Sequence, residues 1–313
     1  YPDYFYINES GEILDLDRRK KIDTEAKLLD LPAHGACTLI RKKYLEEVGG
    51  YSEEFTSQDG HDIWYKFKDK YKISNVSSPL FYYRQHSNSL SRNNDALLDQ
   101  RKKIKRKVVG DKYLKYKIAI IVGAKNSYES FENLVLKDLN GKPLINYTLD
   151  EVKKFNLNGK VYITTDDKKV ADYCNNLYDF KVIKRPKALS DDSVTVEKIT
   201  NDAIDFIEKK DNFYPEIVVF LNVNNPFKSF ETIHKAIDTL IIYNSDSVVS
   251  VYEDFDLHFK HKKFGLEPIS KRRHRKLRVE RDALYVDNRA INVSRRNIIN
   301  ERDFRGNKIA HIL

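Results

Sequence analysis

The sequence predicts an α/β protein whose larger part is a doubly wound, mainly parallel sheet of the nucleotide-binding type. Three observations predict it: short runs of β-branched residues, helical patterns that alternate with them from Lys117 onward, and polar loops after the runs. Strands made almost entirely of apolar residues are covered by helices on both faces of the sheet. Regular alternation of strand and helix is typical of parallel sheets. Ligands bind beyond the carboxyl ends of such strands, so a site is expected after Val122, Thr165 and Leu221.

The elements of this part are predicted from the spacing of its apolar residues. Strands are expected at KIAIIV (117–122), KVYITT (160–165), the stretch from Lys181 to Ile183, EIVVFL (216–221) and SVVSVY (247–252). Helices are expected from Pro143, from Lys168 to about Leu177 and from about Phe230 to Tyr243. These elements form the alternation on which the predicted fold class rests.

The first hundred residues lack that alternation. The expected elements are a strand at ACTLI (36–40), a short helix at RKKYLEEV (41–48), an amphipathic helix at HDIWYKFKDKY (61–71) and an edge strand at FYYRQH (81–86). These are too few strands for an α/β sheet of their own. We therefore predict three parts: a small module at 1–92, a basic linker at 93–116 and the α/β domain at 117–313.

Composition excludes some classes of protein and leaves others open. With 41% hydrophobic residues the chain is not disordered as a whole, and no apolar run reaches the roughly 18 residues of a membrane span. The net charge of +9 is concentrated in RKKIKRK (101–107) and KRRHRKLRVER (271–281). A positive charge of this kind favours binding to nucleic acid, to an anionic membrane or to phosphorylated small molecules. Because no nucleic-acid module accompanies it, nucleic acid is not expected as a partner.

Two cysteines far apart in sequence, Cys37 and Cys174, support neither a disulfide framework nor a zinc site. A cytoplasmic protein is the expectation.

The module at 1–92 carries HGACTLIRKKYLEEVGGYSEEFTSQDGHDIWYKF followed by PLFYYRQHSNSLSR. These segments resemble the acceptor-side half of family-2 glycosyltransferases of the A fold. The resemblance implies a general base at Asp59 or Asp62, which takes the proton of an acceptor hydroxyl. It also implies substrate contacts at His34 and Arg84 and a metal contact at His86. Without the resemblance, the two aspartates fit equally well as residues at the start of a helix.

The donor-binding half of that family, with its metal-binding D-x-D, would precede residue 1. This module is therefore not expected to bind a nucleotide sugar unaided.

The domain at 117–313 carries KIAIIVGAKN, LNGKPLINYTLDE, VYITTDD, KRPKALSDDSVTVEKI, VVFLNVNNPF and DSVVSVYED in that order. In this order the segments resemble cytidylyltransferases that activate sugar acids, the group that makes CMP-sialic acid and CMP-Kdo. The resemblance implies a Rossmann-like nucleotidyltransferase fold, CTP as co-substrate and Mg²⁺ or Mn²⁺ as cofactor. In the implied reaction the anomeric hydroxyl attacks the α-phosphorus of CTP and pyrophosphate leaves.

A glycine at the end of the first strand lets backbone N–H groups approach phosphates, and a nearby lysine adds positive charge. The expected catalytic lysine is Lys125. The nucleotide-binding residues expected around it are Gly123, Ala124, Asn126, Ser127, Asn133, Asp166, Arg185, Ser193, Asn222 and Asn224. The substrate carboxylate is assigned to Arg278, Glu280 and Arg281, since guanidinium groups bind carboxylates bidentately.

Structural explanations compete with these assignments. Gly123 could only permit a tight turn, Asp166 or Asp167 could cap a helix, and residues 271–281 could form a solvated loop. The phosphate loop VGAKNSYESFENL has one glycine and one lysine, where the family pattern has an arginine and a Gly-Gly-Ser-Lys run.

The predicted function is activation of a sialic-acid-like or other sugar acid by CTP, joined to a glycosyltransferase module for surface glycan synthesis. The alternative is a catalytically inactive nucleotide-binding or scaffolding relative. A homodimer, if formed, is expected to use residues 253–282.

Overall fold

The computed structural model describes residues 1–19, 36–55, 57–86, 94–129, 131–155, 159–254, 256–269 and 284–313, the side chains of 94–98 and 111 excepted. The chain divides into two units, Tyr1–Gly110 and Asp111–Leu313. The strands, in chain order, are β1 Pro2–Ile7, β2 Ile13–Asp17, β3 Val76–Arg84, β4 Ile118–Gly123, β5 Asp138–Leu139, β6 Lys142–Pro143, β7 Gly159–Thr165, β8 Lys181–Lys184, β9 Ile217–Asn222, β10 Ser247–Asp254, β11 Phe259–Lys262, β12 Gly265–Pro268, β13 Leu284–Arg295 and β14 Ile309–Ile312. The helices are α1 Lys42–Glu47, α2 Asp59–Phe67, α3 Asn94–Val109, α4 Leu144–Val152, α5 Lys168–Leu177, α6 Val196–Lys209 and α7 Phe230–Tyr243.

The first unit contains a three-stranded sheet with the order β2-β1-β3. β1 is antiparallel to β2 and parallel to β3, and the ring of Tyr4 stacks on that of Phe81 with centroids 4.8 Å apart. β3 is an edge strand, as the sequence predicts. The predicted strand at 36–40 is wrong: these residues have no strand partner among the described residues, and Leu39 is 98% exposed. An apolar run without a neighbouring strand has no ladder to satisfy its backbone.

The second unit is built on a seven-stranded sheet with the order β14-β10-β13-β9-β4-β7-β8. β4 pairs in parallel with β7 and β9, β7 with β8, and β10 with β14. Only β13 within this sheet runs the other way, antiparallel to both β9 and β10. The predicted mainly parallel α/β sheet is therefore confirmed.

Buried side chains explain why β4 lies at the centre of this sheet. Residues Ile118 to Val122 are at most 2% exposed, so apolar residues on both faces of the strand are covered. On one face, Ala119 and Ile121 belong to a core cluster with Ala203, Ile204 and Ile207 of α6. The sequence analysis did not identify α6, although these residues have helical spacing.

β13 is the second element that the sequence analysis did not identify. It is antiparallel, so its early residues lie beside the late residues of its neighbours: Ile291 pairs with Leu221 of β9, and Asp287 with Val251 of β10. Its polar early residues are thereby placed at the carboxyl ends of the parallel strands. Among the helices of the described residues, none is long and apolar enough to cross a membrane.

Candidate active site

The carboxyl ends of three parallel strands meet at the middle of the large sheet. Gly123, the last residue of β4, lies in register with Thr164 of β7 on one side and with Asn222 of β9 on the other. Ligands of open α/β sheets bind beyond such strand ends. This edge of the sheet is therefore the candidate active site.

A buried asparagine fixes the loop that follows β4. The side chain of Asn126 is 1% exposed, and its Nδ2 donates to Asp167 Oδ2 at 2.7 Å and to Asn133 Oδ1 at 3.3 Å. Its Oδ1 accepts a hydrogen bond from the backbone N–H of Val135 at 3.2 Å. Asn133 has a φ of 55°, in the left-handed region that asparagine tolerates. Asn126 and Asn133, expected as nucleotide contacts, are thus engaged in holding the loop.

The two aspartates after β7 have different surroundings. Asp167 caps α5, because its Oδ1 accepts from the backbone N–H groups of Lys169 at 2.7 Å and Val170 at 3.2 Å. Burial raises the pKa of Asp167, but these bonds and the one from Asn126 outweigh it, so the pKa lies below its ordinary value. Asp166, the expected site residue, has a buried Oδ1 without a hydrogen-bond partner among the described residues. Asp166 therefore has an oxygen available for a ligand.

Lys125 lies at the mouth of this loop, with 14% of its side chain exposed. Its ammonium forms an ion pair with Asp192 and lies 4.9 Å from the centre of the Tyr128 ring. Asp192 also accepts from the backbone N–H of Glu129 at 3.3 Å. A phosphate group that binds Lys125 must therefore displace Asp192 or share the lysine with it.

Gly123 makes room for an aromatic ring. A Cβ atom built at Gly123 would lie 2.7 Å from Cζ of Phe220, a distance that real Cβ atoms do not adopt. Phe220 is only 7% exposed and belongs to the core cluster beneath the site. The glycine is thus required by close packing against β9, independently of any approach by a phosphate.

Arg185 provides a buried positive charge at the same edge. It is 3% exposed; its Nε donates to Thr164 Oγ1 at 3.2 Å and its Nη2 to the Thr164 carbonyl at 2.7 Å. Burial lowers the pKa of Arg185, and the charges of Asp166 and Asp202 act in the opposite direction. No described carboxylate forms an ion pair with it, so Arg185 has guanidinium capacity for an anionic ligand.

The turn after β9 is held from beneath by a buried lysine. The ammonium of Lys228, 5% exposed, donates to Thr148 Oγ1 at 2.9 Å, to the Asn222 carbonyl at 2.9 Å and to the Asn225 carbonyl. Burial lowers the pKa of Lys228 to about 7. Asn224, at the top of this turn, donates to the hydroxyl of Tyr128 at 2.8 Å and so connects the turn to the β4 loop.

A cavity of about 350 Å³ lies on the α6 side of this edge. Its walls come from the loop into α6, from the end of β9, from early β13 and from the segment before β14. The residues that line it are Asp192, Ser193, Val194, Thr195, Val196, Glu197, Phe220, Asn222, Asp287, Arg289, Ile291, Asn292, Phe304 and Arg305. The volume is within the range of small-molecule sites.

The remaining predicted residues of this domain have simpler positions. Ala124 is fully buried and its N–H donates to the Thr164 carbonyl at 3.0 Å. Ser127 is exposed on the loop, and the Ser193 hydroxyl donates to Asp191 at 2.5 Å. Arg278, Glu280 and Arg281 lie outside the described residues.

In the first unit, the two candidate bases differ in accessibility. Asp62 is buried, and its Oδ2 accepts from the Ser52 hydroxyl at 2.8 Å and from Lys66 Nζ at 2.7 Å. Asp59 is exposed at the first residue of α2. The N-cap of α2 is Gln58, and neither aspartate gives that position a side-chain cap.

The other candidates of the first unit lie apart from these aspartates in sequence. Arg84 donates to the backbone carbonyls of Asn8 at 3.1 Å and Glu9 at 2.7 Å. His86 is exposed, and His34 lies outside the described residues.

The donor groups of the described residues offer a metal ion few ligands. Across the described ranges, no group of three or more His, Cys, Asp or Glu side chains is arranged to hold a metal, and His86 belongs to none. A magnesium ion carried by a nucleotide needs only one or two protein carboxylates, because phosphates and waters supply the other ligands. The unpartnered Oδ1 of Asp166 fits that smaller requirement.

Three residues of the site escaped the sequence analysis. Lys228 is the only charged residue in LNVNNPFK, and a single charge in such a segment could have identified it as a candidate site residue. Asp192 lies next to the predicted Ser193 in a run of polar residues. Arg289 has no local signal, because it reaches the site only through the antiparallel course of β13.

Comparison with known proteins gives one family and a set of distant structures. The family model described as Cytidylyltransferase matches residues 119–310. No curated protein matches the sequence. Among solved structures, a CMP:2-keto-3-deoxy-manno-octonic acid synthetase complexed with CTP is 13% identical, with a TM-score of 0.44 over 58% of this chain and 76% of that one. A 4-diphosphocytidyl-2C-methyl-D-erythritol synthase from Anaerococcus prevotii is 15% identical, with a TM-score of 0.46 over 64% of this chain and 88% of that one.

We predict that Gly123→Ala destabilises the second unit by about 1–3 kcal/mol, the usual effect of an added methyl group in a packed core. Phe220→Leu removes the ring that the new Cβ would meet. In a double-mutant cycle measured by urea unfolding, the pair should lose less stability than the sum of the single variants. Additive losses would show that Phe220 is not the reason for the glycine.

We predict that Lys228→Met loses about 1–3 kcal/mol near pH 7, because three acceptor oxygens lose their donor. The folded-state pKa of about 7 lies below the unfolded value, so the unfolded chain binds more protons between the two. The free energy of unfolding of the wild type should therefore rise above pH 7, by at most about 1.4 kcal/mol per pH unit.

Urea unfolding at pH 7, 8 and 9 measures this slope. Lys209→Met is the matched control, because Lys209 is exposed and pairs with Asp205 at 2.7 Å. The control should keep the wild-type slope and Lys228→Met should lose it; equal slopes in all three proteins contradict the assignment.

Proposed function

This chain belongs to the cytidylyltransferase family, and we propose that its 117–313 domain transfers the CMP group of CTP to a sugar acid. The products are a CMP-sugar and pyrophosphate, and the sugar acid is sialic-acid-like or of a related kind. Family membership supports the CTP-dependent nucleotidyltransferase activity. We propose the sugar acid as the second substrate on the resemblance of the ordered segments and on the charge distribution of the site.

One observation carries this proposal: two cationic groups, Lys125 and Arg185, lie at the edge where the strands β4 and β7 end. Arg185 has no ion-pair partner among the described residues, and Lys125 is paired with one aspartate, whose side chain is 40% exposed and can be exchanged for a phosphate. A triphosphate needs cationic groups that it can reach, and charge stabilisation is the main contribution of the protein to phosphoryl transfer.

The proposed step is an in-line displacement at the α-phosphorus. The anomeric hydroxyl oxygen forms a bond to phosphorus, the bond to the pyrophosphate oxygen breaks, and the hydroxyl proton passes to a base or to solvent. Lys125 binds phosphate oxygens after it exchanges Asp192 for them, and it offsets the negative charge that develops on pyrophosphate. Arg185 holds the nucleotide from beneath.

The other expected contacts divide into those that shape the site and those that face it. Asn126, Asn133 and Ala124 shape the β4 loop, while Ser127, Ser193 and Asn222 are positioned to reach a ligand. Mg²⁺ or Mn²⁺ is proposed as the ion that accompanies CTP, with Asp166 as its protein ligand. When bound, the ion would neutralise phosphate charge and favour departure of pyrophosphate.

For the first unit we propose a glycosyltransferase acceptor module, on the resemblance of residues 1–92. Asp59 is the better candidate for its general base, because it is exposed, whereas Asp62 is occupied by Ser52 and Lys66. A transfer assay with nucleotide sugars tests this role when a donor-binding half is supplied with the chain, because this module is not expected to bind a nucleotide sugar unaided. Loss of transfer in Asp59→Asn supports it, and unchanged transfer rejects it.

A homodimer through residues 253–282 is proposed on the hairpin formed by β11 and β12. An isolated two-stranded hairpin is marginal in water, and this one exposes 94% of Phe264 and 64% of Leu266. Sedimentation should give a dimer that Phe264→Asp weakens; a monomeric wild type rejects the proposal. A cytoplasmic location, where CTP is available, remains part of the proposed function.

A catalytically inactive nucleotide-binding or scaffolding protein is the second candidate function. The observation that favours it is the Lys125–Asp192 ion pair, which already engages the ammonium that a phosphate would need. CTP binding without pyrophosphate release, with every sugar acid supplied, would support this candidate over the enzyme.

We predict pyrophosphate release from CTP, in preference to UTP, GTP or ATP, when Mg²⁺ and a sugar acid are present. Lys125→Met should lower kcat/KM for CTP at least about 100-fold, because removal of one preorganised charged donor has about that cost. Lys209→Met removes an equivalent lysine–aspartate pair far along α6 and should leave kcat/KM unchanged. Equal activity of Lys125→Met and Lys209→Met contradicts the role of Lys125.

A further inference from the structure

We propose that Arg289 binds the carboxylate of the sugar acid in the cavity beside the nucleotide, an inference that rests on the proposed function. From the sequence this task was expected of Arg278, Glu280 and Arg281, which lie outside the described residues. Arg289 lies on β13 instead, at the bulge where the pairing with β10 is interrupted between Asp287 and Asn292, and it lines the 350 Å³ cavity together with Arg305. Bulges of this kind re-aim a side chain and are frequent next to active sites.

The backbone of Arg289 occupies a conformation that arginine seldom adopts. Its φ is 59°, in the left-handed region, which costs a non-glycine residue roughly 1 kcal/mol or more. Side chains on both sides impose this turn: Asp287 Oδ1 accepts from the N–H of Arg289 at 2.7 Å, and Asn288 Oδ1 accepts from Ala290 at 3.0 Å. Glycine or asparagine would occupy this position without that cost. Strained positions of this kind cluster at ligand sites.

The two arginines of the cavity have different partners. Arg305 donates to Asp287 Oδ2 at 3.0 Å, and its guanidinium lies 5.0 Å from the centre of the Phe304 ring. Arg289 is exposed, and its guanidinium forms no ion pair or hydrogen bond with a described side chain. Asp287 is thus occupied by Arg305 and by the backbone of Arg289, which leaves the Arg289 side chain available to a ligand.

The opposite wall of the cavity combines the start of a helix with the carboxylates of Asp192 and Glu197. α6 begins there, and its N-cap residue Thr195 makes no side-chain cap hydrogen bond. The first N–H groups of a 14-residue helix carry partial positive charge and accept an anionic ligand readily. Glu197 in the first turn reduces this potential but does not occupy the cap position. Asp192 and Asp287 also line the cavity, but they are paired with Lys125 and Arg305, so among the described residues the guanidinium of Arg289 and the start of α6 are its unpaired positive groups.

A carboxylate fits these groups better than the triphosphate does. The triphosphate is placed at Lys125 and Arg185 by the proposed function, so a second anionic group near Arg289 belongs to the other substrate. Guanidinium binds a carboxylate through two parallel hydrogen bonds, which fixes orientation as well as charge. Asn222 pairs in register with Gly123 at the end of β4 and also lines the cavity, so the cavity adjoins the position proposed for the phosphates.

The test compares each sugar acid with its own methyl ester, which removes the negative charge and keeps the sugar. N-acetylneuraminic acid and Kdo are supplied with CTP and Mg²⁺, and pyrophosphate release is measured. The variants are Arg289→Gly and Arg289→Asn, both compatible with a left-handed backbone. Arg302→Ala is the matched control, because Arg302 is an exposed arginine outside the cavity lining.

We expect the wild type and the control to prefer the acid over its ester. Both Arg289 variants should raise KM for the acid about 10- to 100-fold, the range of one charged hydrogen-bonded contact. Their KM for the ester and for CTP should change less than about twofold, and kcat should change little. Arg289→Gly should keep the melting temperature of the wild type or exceed it, because the strained conformation is relieved.

The possible failures are distinguishable. Pyrophosphate release with an acid preference that is the same in wild type and Arg289→Gly overturns the assignment of Arg289 and leaves the proposed function intact. If the Arg289 variants raise KM for CTP as much as KM for the acid, Arg289 contacts the nucleotide, and the assignment to the carboxylate is overturned. No pyrophosphate release by the wild type with any acid overturns the proposed function and, with it, this inference.

Discussion

The hydrogen bonds of one buried amide hold the candidate site together. Asn126 connects the loop after β4 to the cap of α5 through Asp167 and to its own return through Asn133 and Val135. If these buried polar groups lost their partners, the free-energy cost would exceed that of one ordinary hydrogen bond. The loop therefore keeps the arrangement in which all of these groups are hydrogen-bonded. The positions of Lys125 and Tyr128 follow from that arrangement.

The cavity beside this loop is formed in part by two strands, β9 and β13. Phe220 fills the space that Gly123 leaves, and it forms the floor on which a ligand would rest. The reversed direction of β13 brings Asp287 and Arg289 to the ends of the parallel strands. A wholly parallel sheet would place the early residues of that strand at the opposite edge, so the one antiparallel strand is what gives the site its second group of charges.

The sequence predicted elements whose signal is local and missed those whose signal is not. α5 and α7 were predicted with their observed bounds, since their apolar spacing and flanking residues are enough. β13 mixes exposed and buried positions, and no periodicity distinguished it from a loop. The role of Asn126 depends on Asp167, 41 positions away, and a single sequence does not show that contact. The strand predicted at 36–40 failed for the same reason, because it needed a neighbouring strand and the described residues provide none.

The central claim is that the end of β4 receives the phosphates of CTP. A crystal structure with CTP and Mg²⁺ tests it most directly, by the position of the ammonium of Lys125. The account predicts phosphate oxygens within hydrogen-bond distance of Lys125, with Asp192 displaced from it. CTP bound elsewhere while the Lys125–Asp192 ion pair stays intact would contradict the account.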